Sequence, residues 1–186
     1  QKFKKVTVLD AHSDVLEGCL DNYEKLPNTG VVSFALAGID APKEKTVIIS
    51  PDAGALKKIY EVAMAFKIEN VVTAGKVREI LTGKIVKTEM PDLRQYNTGD
   101  YKFIIIDDIC DGGRTFIEIK KAIELQVPNA EVYLVITHGI FSAGFVELNN
   151  AFKGIFCTNS YVDMDNPEFS LINDNKLHKL HQLNVF

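Results

Sequence analysis

The stretch Phe103-Ile104-Ile105-Ile106, running into Asp107-Asp108-Ile109-Cys110-Asp111-Gly112-Gly113-Arg114-Thr115, constrains this chain more than any other. An unbroken run of Phe and Ile reads as a strand buried on both faces, the habit of a central strand in a parallel sheet. Such a strand does not end in two adjacent carboxylates unless something offsets their repulsion and desolvation. Ligand hydroxyls or a divalent cation would do so. The paired glycines let the backbone approach an anion closely. The helix pattern that follows aims N–H groups and the positive end of its dipole at the same place. Thr115, with Glu118 three residues on, reads as a capping box. Carboxylates for a sugar diol, then a loop for its phosphate, make a sugar-phosphate site. The plainer reading is an ordinary strand-to-helix turn capped by Asp.

The rest of the chain alternates short apolar runs with helical patterns, which predicts an α/β fold with a parallel sheet. Strands are expected at Val6–Leu9, Thr46–Ser50, Val71–Thr73, Val132–Ile136 and Gly154–Cys157. After Pro51-Asp52-Ala53-Gly54 a helix is expected with Leu56, Ile59, Tyr60, Ala63 and Phe66 on its buried face, and Lys57, Lys58 and Glu61 off it. Phe116, Ile119 and Ile123 give the next helix its buried stripe, and Val127-Pro128-Asn129 ends it. A further helix is expected near Phe141–Asn150. The charged segment Gly75–Gln95 reads as a mobile loop followed by a strand at Lys84-Ile85-Val86. In an open parallel sheet the strand ends face one crevice, where ligands bind. Asp10, His12, Asp52, Asp107, Asp108, Asp111, Thr137 and His138 are expected to converge there. His178 and His181 are expected on a helix surface.

Composition narrows the partners. The 186 residues suffice for one α/β domain over 1–186, and the net charge of −4 gives no broad basic surface for nucleic acid. Cys19, Cys110 and Cys157 form no CxxC pair, so reduced thiols and a cytoplasmic location are expected. No apolar run approaches the roughly 18 residues of a membrane span. No signal peptide is visible. The chain begins at Gln1 rather than Met, as a trimmed polypeptide would.

The acidic-glycine segment resembles the phosphoribosyl pyrophosphate loop of type I phosphoribosyltransferases and of phosphoribosyl pyrophosphate synthetases. Their usual pattern continues Asp-Thr-Gly-Gly-Thr, whereas this chain reads Asp111-Gly112-Gly113-Arg114-Thr115. Other segments are similar to the synthetases in particular and follow their order: Asp10-Ala11-His12-Ser13, Pro51-Asp52-Ala53-Gly54, Lys76-Val77-Arg78, Thr137-His138-Gly139 and Cys157-Thr158-Asn159-Ser160. After His12 the chain departs from the family, with Val15, Cys19 and Leu20 where it usually carries Gln and aromatics.

The resemblance implies a three-layer α/β/α fold of the phosphoribosyltransferase type, here as the C-terminal domain of a longer two-domain synthetase. It implies ribose-phosphate pyrophosphokinase activity, with ATP and ribose 5-phosphate as partners, Mg²⁺ as cofactor and assembly into homo-oligomers. By the same resemblance Asp107, Asp108, Asp111, Gly112, Gly113, Arg114 and Thr115 bind ribose 5-phosphate. His12 and Asp52 help place the metal, and Lys76 and Arg78 stabilise the transferring group from a flexible loop. Read from the residues alone, Asp52 is equally a turn aspartate, His12 a hydrogen-bonded histidine, and Lys76 and Arg78 solvated charges. A stand-alone phosphoribosyltransferase and a non-catalytic regulatory homologue are the alternatives. His138 reads as structural as readily as catalytic.

Overall fold

The computed structural model describes residues 3–78, 85–161, 163 and 179–185, and only the backbone of 76–78 and 85–87. The main sheet has six strands, all parallel: β3 (Thr46–Ser50), β4 (Asn70–Thr73), β7 (Lys102–Cys110), β8 (Glu131–Gly139), β9 (Gly154–Thr158) and β10 (Leu180–Leu183). Their spatial order is β10-β9-β8-β7-β3-β4. The chain thus lays β4 on one side of β3, then crosses to place β7 on the other side. The crevice above the β3–β7 boundary is a topological switch point, where open α/β sheets bind their ligands.

Residues alternate between the two faces of β7 and divide the core into two layers. Ile104 and Ile106 pack with Val31, Val32 and Ala35 of α2 (Thr29–Ile39) and with Ile59, Val62 and Ala63 of α3 (Leu56–Phe66). Phe103 and Ile105 pack with Phe116, Ile119 and Ile123 of α4 (Arg114–Gln126) and with Leu148 of α5 (Val146–Ala151). A sheet between two helical layers is the three-layer α/β/α arrangement expected from the sequence. Among the described residues, no helix is long and apolar enough to cross a membrane.

Several expectations need correction. The segment 75–95 is not simply a loop before a strand: β5 (Gly75–Arg78) and β6 (Ile85–Glu89) form an antiparallel pair, with a register shift at Val77/Arg78. The strand expected from Lys84 begins at Ile85, and Lys84 itself lies outside the described residues. The strand β1 (Val6–Leu9) does not join the main sheet. It pairs in parallel with β2 (Tyr23–Leu26), with α1 (Val15–Cys19) between them. The capping box fails because the helix starts two residues early: Gly113, at φ 75°, is the N-cap of α4, and no side chain caps it. Thr115 is therefore inside the helix, and Glu118 pairs with Lys121 instead.

In α3 the buried stripe runs through Ile59, Val62 and Ala63, while Tyr60 is 51% exposed. The helix expected over 141–150 is the shorter α5. His181 sits on strand β10, not on a helix, and stacks on Phe156 with ring centroids 4.7 Å apart. His178 lies outside the described residues.

Candidate sugar-phosphate site

The strand β7 continues past its apolar centre, so Asp107 and Asp108 are extended strand residues rather than turn residues. Successive side chains in a strand leave opposite faces. Asp108 continues the even-numbered series toward the α3 layer, and Asp107 continues the odd-numbered series toward the α4 layer. The two carboxylates consequently meet different surroundings.

Asp108 is 6% exposed and well partnered. Lys58 Nζ of α3 lies 2.8 Å from its Oδ2, and His12 Nδ1 donates to its Oδ1 at 3.1 Å. Burial opposes the charge on Asp108, but the hydrogen bonds and charges of Lys58 and His12 outweigh it and hold the carboxyl below its ordinary range. Lys58 also lies 2.9 Å from Oδ1 of Asp10, which is 1% exposed. The second oxygen of Asp10 accepts the hydroxyl of Thr137. One ammonium therefore bridges two buried carboxylates from β7 and from the end of β1. Burial disfavours the charge of Lys58, yet the hydrogen bonds it donates to Asp108 and Asp10 leave it above its ordinary value.

Asp107 lacks such a cation. Burial, then the charge of Asp108 and that of Asp52, push it up to about 7, and its one compensating hydrogen bond comes from the Asp108 N–H at 2.9 Å. Asp52 follows β3, the neighbour of β7. Its Oδ1 accepts the Ala55 N–H at 3.1 Å, and its carbonyl accepts the Ser50 hydroxyl at 2.8 Å. The crevice between β3 and β7 thus gathers the carboxyl groups of Asp52, Asp107 and Asp108.

The glycine segment closes the other side. Its backbone is fixed to the segment after β8: Ile140 and Phe141 donate to the Cys110 carbonyl at 2.9 and 3.1 Å, and Ser142 donates to that of Asp111 at 3.1 Å. Gly113 is required twice over. Its φ is left-handed, and a Cβ there would meet Leu148 Cδ2 at 2.8 Å. Arg114 and Thr115, the first two residues of α4, have no intrahelical acceptor for their N–H groups, which helix geometry leaves facing an incoming anion. Asp111 and Arg114 are exposed and Thr115 is half-buried.

The remaining expected residues separate into two groups. Lys76 and Arg78 lie on β5, whose hairpin leaves the sheet beside Asp52: the Ala74 N–H donates to the Ser50 carbonyl at 2.9 Å. Their side chains are outside the description. His138 is occupied structurally. Its Nε2 donates to the Leu9 carbonyl at 3.0 Å, so its Nδ1, 2.7 Å from Ser160 Oγ, accepts from that hydroxyl. His138 thereby ties β1 to β8 and to the turn after β9. Lys58 escaped the sequence reading because the helical pattern places it off the core face. The signal was its position four residues after Gly54 and four before Val62, at the margin of the buried stripe. Beyond His12 and Lys58 the crevice opens into a cavity of ≈ 150 Å³, lined also by Lys25, Asn28, Lys57 and Glu61.

The sequence and the fold are similar to those of known proteins. The chain is 27% identical over 166 residues to a ribose-phosphate pyrophosphokinase of Cereibacter sphaeroides, covering 84% of this chain and 46% of that one. It superposes on the phosphoribosylpyrophosphate synthetase of Mycobacterium smegmatis with a TM-score of 0.76 at 17% identity, over 99% of this chain and 55% of that one. The chain resembles the ribose-phosphate pyrophosphokinases and has a phosphoribosyltransferase-type fold. The fold recurs in a xanthine-guanine-hypoxanthine phosphoribosyltransferase of Helicobacter pylori, with a TM-score of 0.51 at 11% identity, over 74% of this chain and 81% of that one. The chain matches no protein-family profile. It spans about half the length of the pyrophosphokinase it matches.

Among the described residues, no three His, Cys, Asp or Glu side chains stand close enough together to hold a metal ion. A divalent cation here would take only one or two protein ligands and complete its shell with phosphate oxygens and water, the habit of Mg²⁺. The buried carboxyl of Asp107, with the carboxylates of Asp108 and Asp52 near it, fits such a cation.

Proposed function

We propose that this protein acts as a ribose-phosphate pyrophosphokinase, its 186 residues forming the C-terminal half of such an enzyme. The 1-hydroxyl oxygen of ribose 5-phosphate attacks the β-phosphorus of ATP. The bond to the bridging oxygen of the α-phosphate breaks, AMP leaves, and the hydroxyl proton passes to water. The observation that carries this reading is the juxtaposition, at the switch point, of an acidic strand end with the glycine-capped N-terminus of α4. Asp107, Asp108 and Asp111 orient the ribose hydroxyls. Gly112 to Thr115 bind the 5-phosphate through backbone N–H groups, with Arg114 adding a charge.

His12 and Asp52 would hold Mg²⁺ brought in with ATP, which supplies charge neutralisation on the phosphates. Lys76 and Arg78 stabilise the charge of the transferring group from the hairpin. The chemistry needs little covalent help from the protein, so positioning and electrostatics dominate. The protein works at a soluble site on free nucleotides and sugar phosphates, in the cytoplasm, as a homo-oligomer.

The test is AMP release from ATP by the full natural chain, with and without ribose 5-phosphate and Mg²⁺. AMP formation that depends on the sugar, and falls at least about 100-fold in Lys76→Ala, supports the reading. No AMP release, together with binding of phosphoribosyl pyrophosphate, would replace it with a phosphoribosyltransferase or a regulatory homologue.

A further inference from the structure

We infer that Lys58 is a positioning residue for the sugar-phosphate crevice, acting through Asp108 and Asp10 as a built-in counter-cation. The inference rests on the sugar-phosphate reading above and adds to it a residue that the sequence motifs do not contain. Lys58 stands 2.8 Å from Asp108 and 2.9 Å from Asp10, and its Nζ is 3.4 Å from the Ala11 carbonyl. Those three partners come from two segments, the end of β1 and the end of β7, while Lys58 itself belongs to α3. Its side chain is 22% exposed and those of Asp10 and Asp108 are 2% and 9% exposed, so the pairs are poorly screened by water and salt.

Two buried carboxylates this close would repel, and each would face a desolvation cost, without a cation between them. Lys58 removes that conflict with a covalently attached charge. It also holds the backbone of Asp10 to His12 against β7. Asp10 sits at φ 44°, a conformation that a non-glycine residue keeps only when its surroundings hold it. His12 is delivered to the ligand side of the crevice by that same segment. Its Nδ1 rests on Asp108, while 75% of its side chain remains exposed.

The consequence is a division of labour. Asp108, held by Lys58 and His12, is a fixed acceptor of set orientation. Asp107, which Lys58 does not touch, carries the uncompensated charge that a ligand or cation would answer. A neutral residue at position 58 leaves Asp10 and Asp108 to move apart, and the ligand then meets a crevice that must be reordered before it binds. Affinity for the sugar phosphate falls by this reordering, while the chemical step, which uses groups on the hairpin, is affected less.

The experiment is calorimetric titration of ribose 5-phosphate into the full natural chain and its variants Lys58→Gln, Lys58→Arg, Asp108→Asn and the double variant Lys58→Gln/Asp108→Asn. A thermal melt confirms that each is folded. Lys58→Gln is expected to weaken binding about tenfold and to raise KM for the sugar more than it lowers kcat, and Lys58→Arg to recover most of the loss. In the Asp108→Asn background, Lys58→Gln is expected to cost clearly less than about tenfold, because one of the two carboxylates through which it acts is gone. Binding of folded Lys58→Gln within twofold of the natural chain, or additive losses in the double variant, overturns the inference.

If Lys58→Gln does not fold, the comparison is made between the double variant, which removes the charge pair together, and Asp108→Asn. Amide hydrogen exchange over Asp10 to Ser13 without ligand separates the two readings. If the natural chain binds no ribose 5-phosphate, the sugar-phosphate function is wrong. Faster exchange at those amides in Lys58→Gln still supports the positioning role, and unchanged exchange overturns it.

Discussion

Asp107 should make this protein less stable as pH rises through neutrality, and Asp107→Asn should remove that loss. The unfolded chain ionises an aspartate near 3.8, whereas the folded protein holds Asp107 at about 7, through burial first and then the charges of Asp108 and Asp52. Between these values the folded state keeps a proton that the unfolded state has released, so stability falls with rising pH. Below about pH 4 both states are protonated and there is no penalty. Above about pH 7 both are ionised and the penalty is complete.

At about 1.36 kcal/mol per pH unit, the gap between 3.8 and about 7 amounts to up to about 4 kcal/mol. Asn is isosteric and neutral, so its advantage over Asp should grow by roughly 3 kcal/mol between about pH 5 and pH 8. Urea denaturation of both proteins at four pH values measures this. Asp108 has the opposite sign: its folded value is lowered, so its contribution is present at neutral pH and lost on acidification. It is present in both proteins and drops out of the difference apart from its coupling to the charge at position 107. An advantage for Asn that stays constant, or shrinks as pH rises, would refute an uncompensated charge at Asp107.

The packing around three other residues sets further outcomes. Gly113→Ala places a Cβ 2.8 Å from Leu148 in a left-handed backbone, and should cost roughly 1–3 kcal/mol in denaturant titration and weaken ribose 5-phosphate binding. His138→Ala removes the bonds to Leu9 and Ser160, and should cost about 1–3 kcal/mol, with faster hydrogen exchange along Val6–Leu9. Ile105→Ala opens a void in the layer beneath α4, where Ile105 is fully buried, and should cost about 3 kcal/mol by chemical denaturation.

Much of this fold was legible because its signals are local. The Phe103–Ile106 run could only be a doubly buried strand, and β3, β8 and β9 were read in the same way. The acidic strand end and the glycines after it stand out in the sequence for the opposite reason: adjacent carboxylates are costly at a buried strand end unless a ligand answers them. The failures are also physical. The capping box at Thr115 was a sound local pattern, but the left-handed Gly113 started the helix earlier. Tyr60 fitted a helical face by spacing alone, yet the sheet selects the stripe centred on Ile59, Val62 and Ala63. Hairpin β5–β6 was obscured because its polar residues carry no strong alternation.

The sequence by itself determined the secondary elements of the core, the residues that line the strand ends and the resemblance that its motif order carries, because periodicity and turn chemistry act over a few residues. Only the tertiary structure decided which charges meet. Lys58 and Asp108 are 50 residues apart, and Asp10 and Thr137 are 127 apart. No pattern of spacing encodes such pairs. They exist because the crossover at β3 and β7 brings α3 above one face of the sheet and the end of β1 against β8. That crossover also separated two adjacent aspartates into one held carboxylate and one left for a ligand, since neighbours on a strand must face opposite ways.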